Sequence, residues 1–399
     1  MAKPEIRLKG FEGEWEKYPF HVVAKPYFVS NKFVHHQNLL SLSYGKIKRK
    51  DINSGKGLLP ASFDTYQIIK DGIIVFRFTD LQNDKKSLRV GLAKEEGIIS
   101  PAYVCVECEN VSPEFLFLQL YSYDLRKVFY SMGDGLRQTL SYNDVKEMTI
   151  YVPSDKEQKL IIDYFNSLEL DILSAESKLA SLKQMKSACL VSMFPQAGET
   201  TPRVRFKGFE REWKFVKLGS LCEKITRKAS VDTKAPVMMI SASSGFINQS
   251  EKYSTDNAGQ SLAKYTLLYK GEMAYNHGAS KIRKYGSCFA LDRKEARVPF
   301  VYHTFKLLKD DSYFFAYYLN SGIFDSELRK VVSSTARMDG LLNISYETYM
   351  NLNVYRPDYE EQKSIASYFR SLDNQISLQE KRLEKLKQIK AACLDKMFV

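Results

Sequence analysis

A chain of 399 residues, 44% apolar and 27% charged, has the composition of a soluble globular protein with two or more domains. Its formal net charge of +12 argues against a basic partner and for a polyanion, nucleic acid before others. No run approaches a membrane span and no secretory signal pattern opens the chain, so the six scattered cysteines are expected as reduced thiols in the cytoplasm.

Taken in order, the chain opens on Pro4 to Trp15, which returns as Pro202 to Trp213 with eight of twelve positions identical. Trp15 and Trp213 are the only tryptophans, and each is expected to pack under the domain that it opens. Residues 16–152 and 214–356 then read as two mixed α/β globules of similar layout. Leu40 to Ile47 corresponds to Ile240 to Ile247, and Ile73 to Arg77 corresponds more loosely to Glu272 to Asn276. Both pairs are short apolar runs ended by turn residues, hence strands. Helices are expected at 113–121 and 312–320. A polar linker, Gln196 to Thr201, precedes the second globule.

Each globule is followed by the most repetitive part of the chain. Pro153 to Phe194 matches Pro357 to Phe398, at an offset of 204 residues, in 21 of 42 positions. Ser154-x-x-Glu157 and Asp358-x-x-Glu361 read as capping boxes. A short helix to Phe165 or Phe369 is expected, then a break, then a longer helix capped by Ser167 or Ser371. The longer helix carries Ile172, Ala175, Leu179, Leu182, Lys186, Cys189 and Met193 in a 3-then-4 spacing. Its copy carries Ile376, Gln379, Leu383, Leu386, Lys390, Cys393 and Met397. That is a coiled-coil seam with a lysine at the same step in both copies. An amphipathic helix laid on a globular core is the other reading. Two copies related by a two-fold place the helices antiparallel. About 27 residues at ~1.5 Å each make a spacer of roughly 40 Å, on the order of one turn of duplex.

Charge separates the parts. Residues 154–194 carry five basic and six acidic side chains, and residues 358–398 carry eight and seven, so the whole excess lies elsewhere. No catalytic constellation emerges: phosphate-binding loops, dinucleotide fingerprints and paired-histidine metal motifs are missing. Cys105-x-x-Cys108 lacks the second ligand pair of a structural zinc, so no metal is expected. His21, His35, His36 and His303 have no partner at ligand spacing. Asp358, Glu361 and Lys363 mimic a nuclease motif but open a capped helix, and no Asn-Pro-Pro-Tyr or Asp-Pro-Pro-Tyr of an adenine methyltransferase occurs. A non-catalytic protein is expected, with a stand-alone DNA-modifying or DNA-cleaving enzyme and a protein-binding pseudo-dimer as alternatives.

The globules instead offer polar, basic, hydroxyl-rich loops, each of which reads equally well alone as a surface turn. Arginine can fork onto guanine and asparagine or glutamine onto adenine, while lysine and serine position phosphates. DNA-contact residues expected in the first globule are Ser41, Ser43, Tyr44, Lys46, Arg77, Arg137 and Gln138. In the second they are Ser241, Ser243, Ser244, Asn276, His277, Ser280, Lys281 and Arg337.

With these residues in hand, the whole chain resembles the specificity subunit of a type I restriction–modification system. The likeness is carried by Glu157-Gln158-Lys159 and Glu361-Gln362-Lys363, by Leu-Lys-Gln at 182–184 and 386–388, and by the closing Met193-Phe194 and Met397-Phe398. Gly271 to Gly278 and Gly135 to Ser141 are similar to recurrent recognition-domain segments. The resemblance implies target-recognition domain 1 over 1–152, a central helical spacer over 153–196, target-recognition domain 2 over 197–356 and a C-terminal helical spacer over 357–399. The implied fold is mixed α/β, two recognition domains joined by two long helices in an antiparallel coiled coil. It further implies double-stranded DNA, two methyltransferase subunits and optional restriction subunits as partners, with S-adenosylmethionine, ATP and magnesium held by those partners. Met185 and Ile389, apolar and off the seam, are the expected partner-docking positions.

Overall fold

The structure is a computed structural model that describes residues 3–51, 60, 62–79, 81, 88–132, 139–196, 198–230, 233–251, 264–278, 280–332 and 342–399. The chain divides into two compact units. One comprises Met1–Glu176 with Lys381–Val399, the other Ser177–Glu380.

In the first unit a four-stranded antiparallel sheet has the order Ala24–Pro26, Val104–Cys108, Ile74–Phe76, Val90–Leu92. Its central strand is buried on both faces, and side-chain alternation divides the work. Ile74 and Phe76 face a core built around Phe115, Phe129 and Phe398, while Val75 faces a second core with Leu40, Leu42 and Ile69. The hairpin Leu40–Ser43 with Lys46–Arg49 lies over that second core. Its two-residue turn puts Tyr44 at φ 48° and Gly45 at φ 74°, as a primed hairpin turn requires. A side chain on Gly45 would also meet the Tyr121 ring, with a Cβ 2.7 Å from its edge.

The second unit repeats the sheet as Cys222–Lys224, His303–Leu307, Met273–Asn276, Ser287–Ala290. Met273 and Tyr275 face a core with Trp213, Phe194 and Phe314, and Ala274 faces one with Ile240 and Leu268. Strand pairing aligns Ile74 with Met273 and Arg77 with Asn276, so the loose sequence correspondence is a true structural one. The expected helices form as Pro113–Leu125 and Ser312–Leu319, the latter capped by Asp311, which accepts from the Phe314 N–H at 2.8 Å.

Two helices of 38 residues each, Asp155–Ser192 and Tyr359–Lys396, correct the expectation of a helix, a break and a longer helix. The apolar stripe runs on through Phe165, Leu168 and Ile172, and through Phe369 and Leu372, so helix propagation costs less than stopping. Ser167 and Ser371 are exposed mid-helix residues with no free N–H groups to cap. Each unit holds one end of each helix, packed antiparallel. In the first, Lys387 Nζ lies 2.7 Å from Glu176, Lys390 Nζ 2.5 Å from Glu169 and Tyr164 Oη 3.4 Å from Cys393 Sγ. In the second, Lys183 lies 2.7 Å from Glu380, Lys186 2.5 Å from Asp373 and Cys189 3.4 Å from Tyr368. Every one of these pairs is its counterpart shifted by 204 residues. The seam lysines are half-buried and answered by carboxylates on the neighbouring helix.

The capping boxes are also not what forms. Glu157 and Glu361 are each 1% exposed and take bidentate hydrogen bonds from Arg7 and Arg205 of the lead-ins, at 2.6–2.7 Å. Gln158 accepts from the Ser112 N–H at 3.0 Å and donates to the Pro153 carbonyl. Gln362 does the same with Asp311 and Pro357. The repeated Glu-Gln pair therefore stitches lead-in, helix start and globule together.

Candidate nucleic-acid interface

Three groups of residues carry the expected contacts. On the first hairpin Ser41 pairs across to Lys48 and Ser43 to Lys46, so hydroxyl and ammonium groups alternate on its outer face. Tyr44 stands at the turn, 69% exposed. Lys46 is tied to Glu169 at 3.2 Å, and Glu169 also receives Lys390. Burial pushes the Glu169 carboxyl up, but the two ammoniums outweigh it and hold the group below the usual carboxylate range. Lys46 is thus a partly neutralised cation, whereas Lys48 beside it is exposed.

On the second hairpin, Met238–Ser241 with Gly245–Asn248, the turn is longer by one residue. Ser241 Oγ lies 3.2 Å from Ser243 Oγ, which lies 3.1 Å from Ser244 Oγ, making a small ladder of hydroxyls.

The third group follows the central strand of each sheet. Arg77 sits half-buried, its N–H donating to the Arg89 carbonyl at 2.8 Å. Its counterpart Asn276 accepts from the Gly278 N–H at 3.0 Å and donates to the Ile240 carbonyl at 3.3 Å, so it braces the loop against the hairpin. His277 is 8% exposed, with both ring nitrogens against backbone carbonyls. It lies beneath the surface it was expected to form. Beyond it the loop closes on itself: the Ser280 N–H donates to the Arg283 carbonyl at 2.9 Å and Ser280 Oγ accepts from the Arg283 N–H at 3.0 Å. Arg283 is clamped by Asp325, with bonds of 2.7 and 3.1 Å, and burial of that carboxylate raises its pKa. Tyr275 Oη donates to the Tyr285 carbonyl at 2.6 Å, and Gly286 at φ 78° lets the strand turn back where a Cβ would strike the Asn276 carbonyl. A rigid tip results that presents Ser280, Lys281, Ile282 and Lys284 to solvent. Arg137, Gln138 and Arg337 lie outside the described residues.

Lys48, exposed beside Lys46, was not among the expected contacts, and the bracing role of Arg283 was not legible from the loop's own sequence. The lead-in arginines Arg7 and Arg205 were missed too, although their identity between the two copies was a visible signal. The nuclease-like group resolves into structural pairs, Glu361 with Arg205, Asp358 with Arg211 at 3.4 Å, and Lys363 with Glu360 at 2.9 Å. Among the described residues no group of acids, histidines and cysteines is arranged to hold a metal, and no helix is long and apolar enough to cross a membrane. Burial pushes the Cys105 and Cys108 thiols up to about 12, away from the thiolate form.

Residues 210–388 match the family model of the type I restriction modification DNA specificity domain. The specificity domain so defined contains the second sheet, the serine hairpin, the Asn276–Gly286 loop and most of the second long helix. The fold agrees with that of the S subunit of a type I restriction–modification system from M. genitalium, at 12% identity and a TM-score of 0.56, over 100% of this chain and 99% of that one. The HsdS subunit from Thermoanaerobacter tengcongensis aligns at 16% identity and a TM-score of 0.49, over 96% of each chain. A chain from a study of complex assembly and conformational transition of the type I R-M system aligns at 16% identity and 0.48, over 96% of this chain and 97% of that one. No curated protein sequence matches the chain. Met185 and Ile389 stand at equivalent positions of the two long helices, 48% and 36% exposed.

Proposed function

We propose that this chain is the DNA-reading subunit of a type I restriction–modification complex, and that it has no catalytic chemistry of its own. The observation that carries the reading is the specificity-domain match over residues 210–388, joined to a first unit built on the same sheet order, lead-in clamp and helix pairing. Each unit reads one half of a split DNA site, with residues 1–152 and 197–356 as the recognition domains. The helices of 153–196 and 357–399 set the half-site separation.

The contact surface consists of the two hairpins with Ser41, Ser43, Tyr44, Lys46, Ser241, Ser243 and Ser244, and the braced loop with Ser280 and Lys281. Arg77, Asn276, Arg137, Gln138 and Arg337 complete it. The cationic excess outside the helices supports this division, since phosphate neutralisation supplies most of the sequence-independent affinity. Two methyltransferase subunits dock on the helices, Met185 and Ile389 among the positions they cover. They bring S-adenosylmethionine for adenine methylation, and restriction subunits bring ATP and magnesium.

Sequencing of methylated adenines in host DNA, with and without this gene, tests the proposal. A split motif that vanishes on deletion supports it, and an unchanged methylation pattern overturns it.

A further inference from the structure

His277 ends the central strand of the second sheet, and its ring nitrogens face two different segments. Nδ1 lies 2.9 Å from the Leu342 carbonyl oxygen and Nε2 lies 3.0 Å from that of Val301. A neutral imidazole has one N–H, and its other nitrogen carries a lone pair that repels a carbonyl oxygen at such a distance. Only the imidazolium, with two N–H groups, satisfies both carbonyls together. The Leu342 N–H donates back to the His277 carbonyl at 2.9 Å, so ring and backbone hold the same residue.

A second histidine completes the arrangement. His303 stacks on His277 with ring centroids 5.0 Å apart and planes 17° from parallel, and its Nε2 lies 3.1 Å from the Ile344 carbonyl. Burial pushes the His303 imidazole down, toward the neutral form, whose single N–H suits its single carbonyl. Tyr275 and Tyr349 pack against the pair, and Tyr346 stands edge-on to His303. Lys224 and Glu347, 3.9 Å from each other, act on His303 with opposite sign. Among the described residues no carboxylate pairs with His277, so carbonyl dipoles are its counter-charge.

The first unit lacks the device. Strand pairing places Val104 where the second unit has His303, and Phe78 where it has His277. The backbone tie is kept, Leu140 N–H to the Phe78 carbonyl at 3.1 Å, but the titratable rings are replaced by apolar side chains.

We propose that His277 is a positioning residue that works as an imidazolium, its second proton holding the Leu342–Ile344 segment beside the Asn276–Gly286 loop, so that half-site reading by the second unit weakens as pH rises. The proton tie stands on the geometry alone, and only its consequence for binding rests on the proposed function.

The protonation state is read directly by ¹⁵N NMR of the full-length chain labelled at histidine, with five side chains to resolve and the His277 signal assigned by its loss in His277→Phe. Two N–H groups on His277 near neutral pH support the proposal, and a single-N–H tautomer persisting down to pH ~6, below the free imidazole midpoint, overturns it. Stability of the second unit is followed through Trp213 fluorescence in a Trp15→Phe background. Relative to His277→Phe, which installs the first unit's side chain, wild-type stability declines as pH rises; an equal slope in both contradicts the proposal. His277→Gln, whose amide supplies two hydrogens without titrating, keeps the fold and removes the slope. Affinity for a duplex bearing the mapped site is expected to drop about threefold to tenfold between pH 6 and 8, and not in His277→Gln. An imidazolium in a chain that binds DNA at no pH upholds the proton tie and defeats the DNA reading instead.

Discussion

Phe398 packs edge-on to Trp15, ring centroids 6.4 Å apart, although 383 residues of chain separate them. The same relationship joins Phe194 to Trp213 at 6.3 Å. The last buried aromatic residue of the chain is thus part of the first unit's core, with Phe115 and Phe165 around it. Phe398→Ala is expected to cost the first unit about 3–5 kcal/mol, the usual loss for an emptied aromatic site. Urea unfolding monitored in single-tryptophan variants checks this: the Trp15 transition moves to lower urea and the Trp213 transition stays. Phe194→Ala reverses the pattern.

The lead-in clamp is a second long-range element. Glu157 is buried and held by Nε and Nη2 of the Arg7 guanidinium, with Trp15 Nε1 donating to it at 3.4 Å. Glu157→Gln leaves the guanidinium without its counter-charge, and a loss of about 3 kcal/mol is expected, as for other broken buried pairs. Glu361→Gln weakens the second unit in the same way through Arg205. Chemical denaturation with tryptophan fluorescence measures both.

Asp124 gives the first unit a pH signature. Burial raises its pKa to about 6, even though its carboxylate accepts the Val90 N–H at 3.2 Å and the Arg89 N–H. The folded form therefore holds a proton that the unfolded chain, titrating near 3.9, has released. Through this group stability is greatest below about pH 4 and declines as pH rises to about 6. Asp124→Asn removes that decline. Thermal unfolding read at Trp15 from pH 4 to 7, wild type against variant, gives the difference in slope.

Much of this architecture was legible because the chain states it twice. The 204-residue offset gave the helix pairing, and every inter-helix ion pair obeys it. What misled was local punctuation: Ser167 reads as a cap, but Leu168 and Ile172 continue the buried stripe and a helix with an apolar partner does not stop for a serine. The loops were less legible. His277 looks like a DNA contact until Leu342, 65 residues on, and Val301 are seen to take its ring. Arg283 gives no sign of bracing its loop until Asp325, 42 residues on, is seen to take its guanidinium. Partners so distant in sequence leave no periodic trace.

The tip of the Asn276–Gly286 loop places two exposed lysines, Lys281 and Lys284, beside the Asp325-clamped Arg283. Lys281→Ala and Lys284→Ala are each expected to lower the slope of log affinity against log salt by about one. Arg283→Ala is expected to weaken binding by loosening the loop, without a comparable change in slope. A salt titration by fluorescence anisotropy distinguishes them.

The central claim is that each unit reads its own half of one DNA site. Adenine methylation mapped in cells carrying Asn276→Ala with Lys281→Ala, against cells carrying the unaltered chain, tests it most directly. The account expects one half of the split motif to relax while the other half and the spacing stay fixed. Relaxation of both halves together, or of neither, would contradict it.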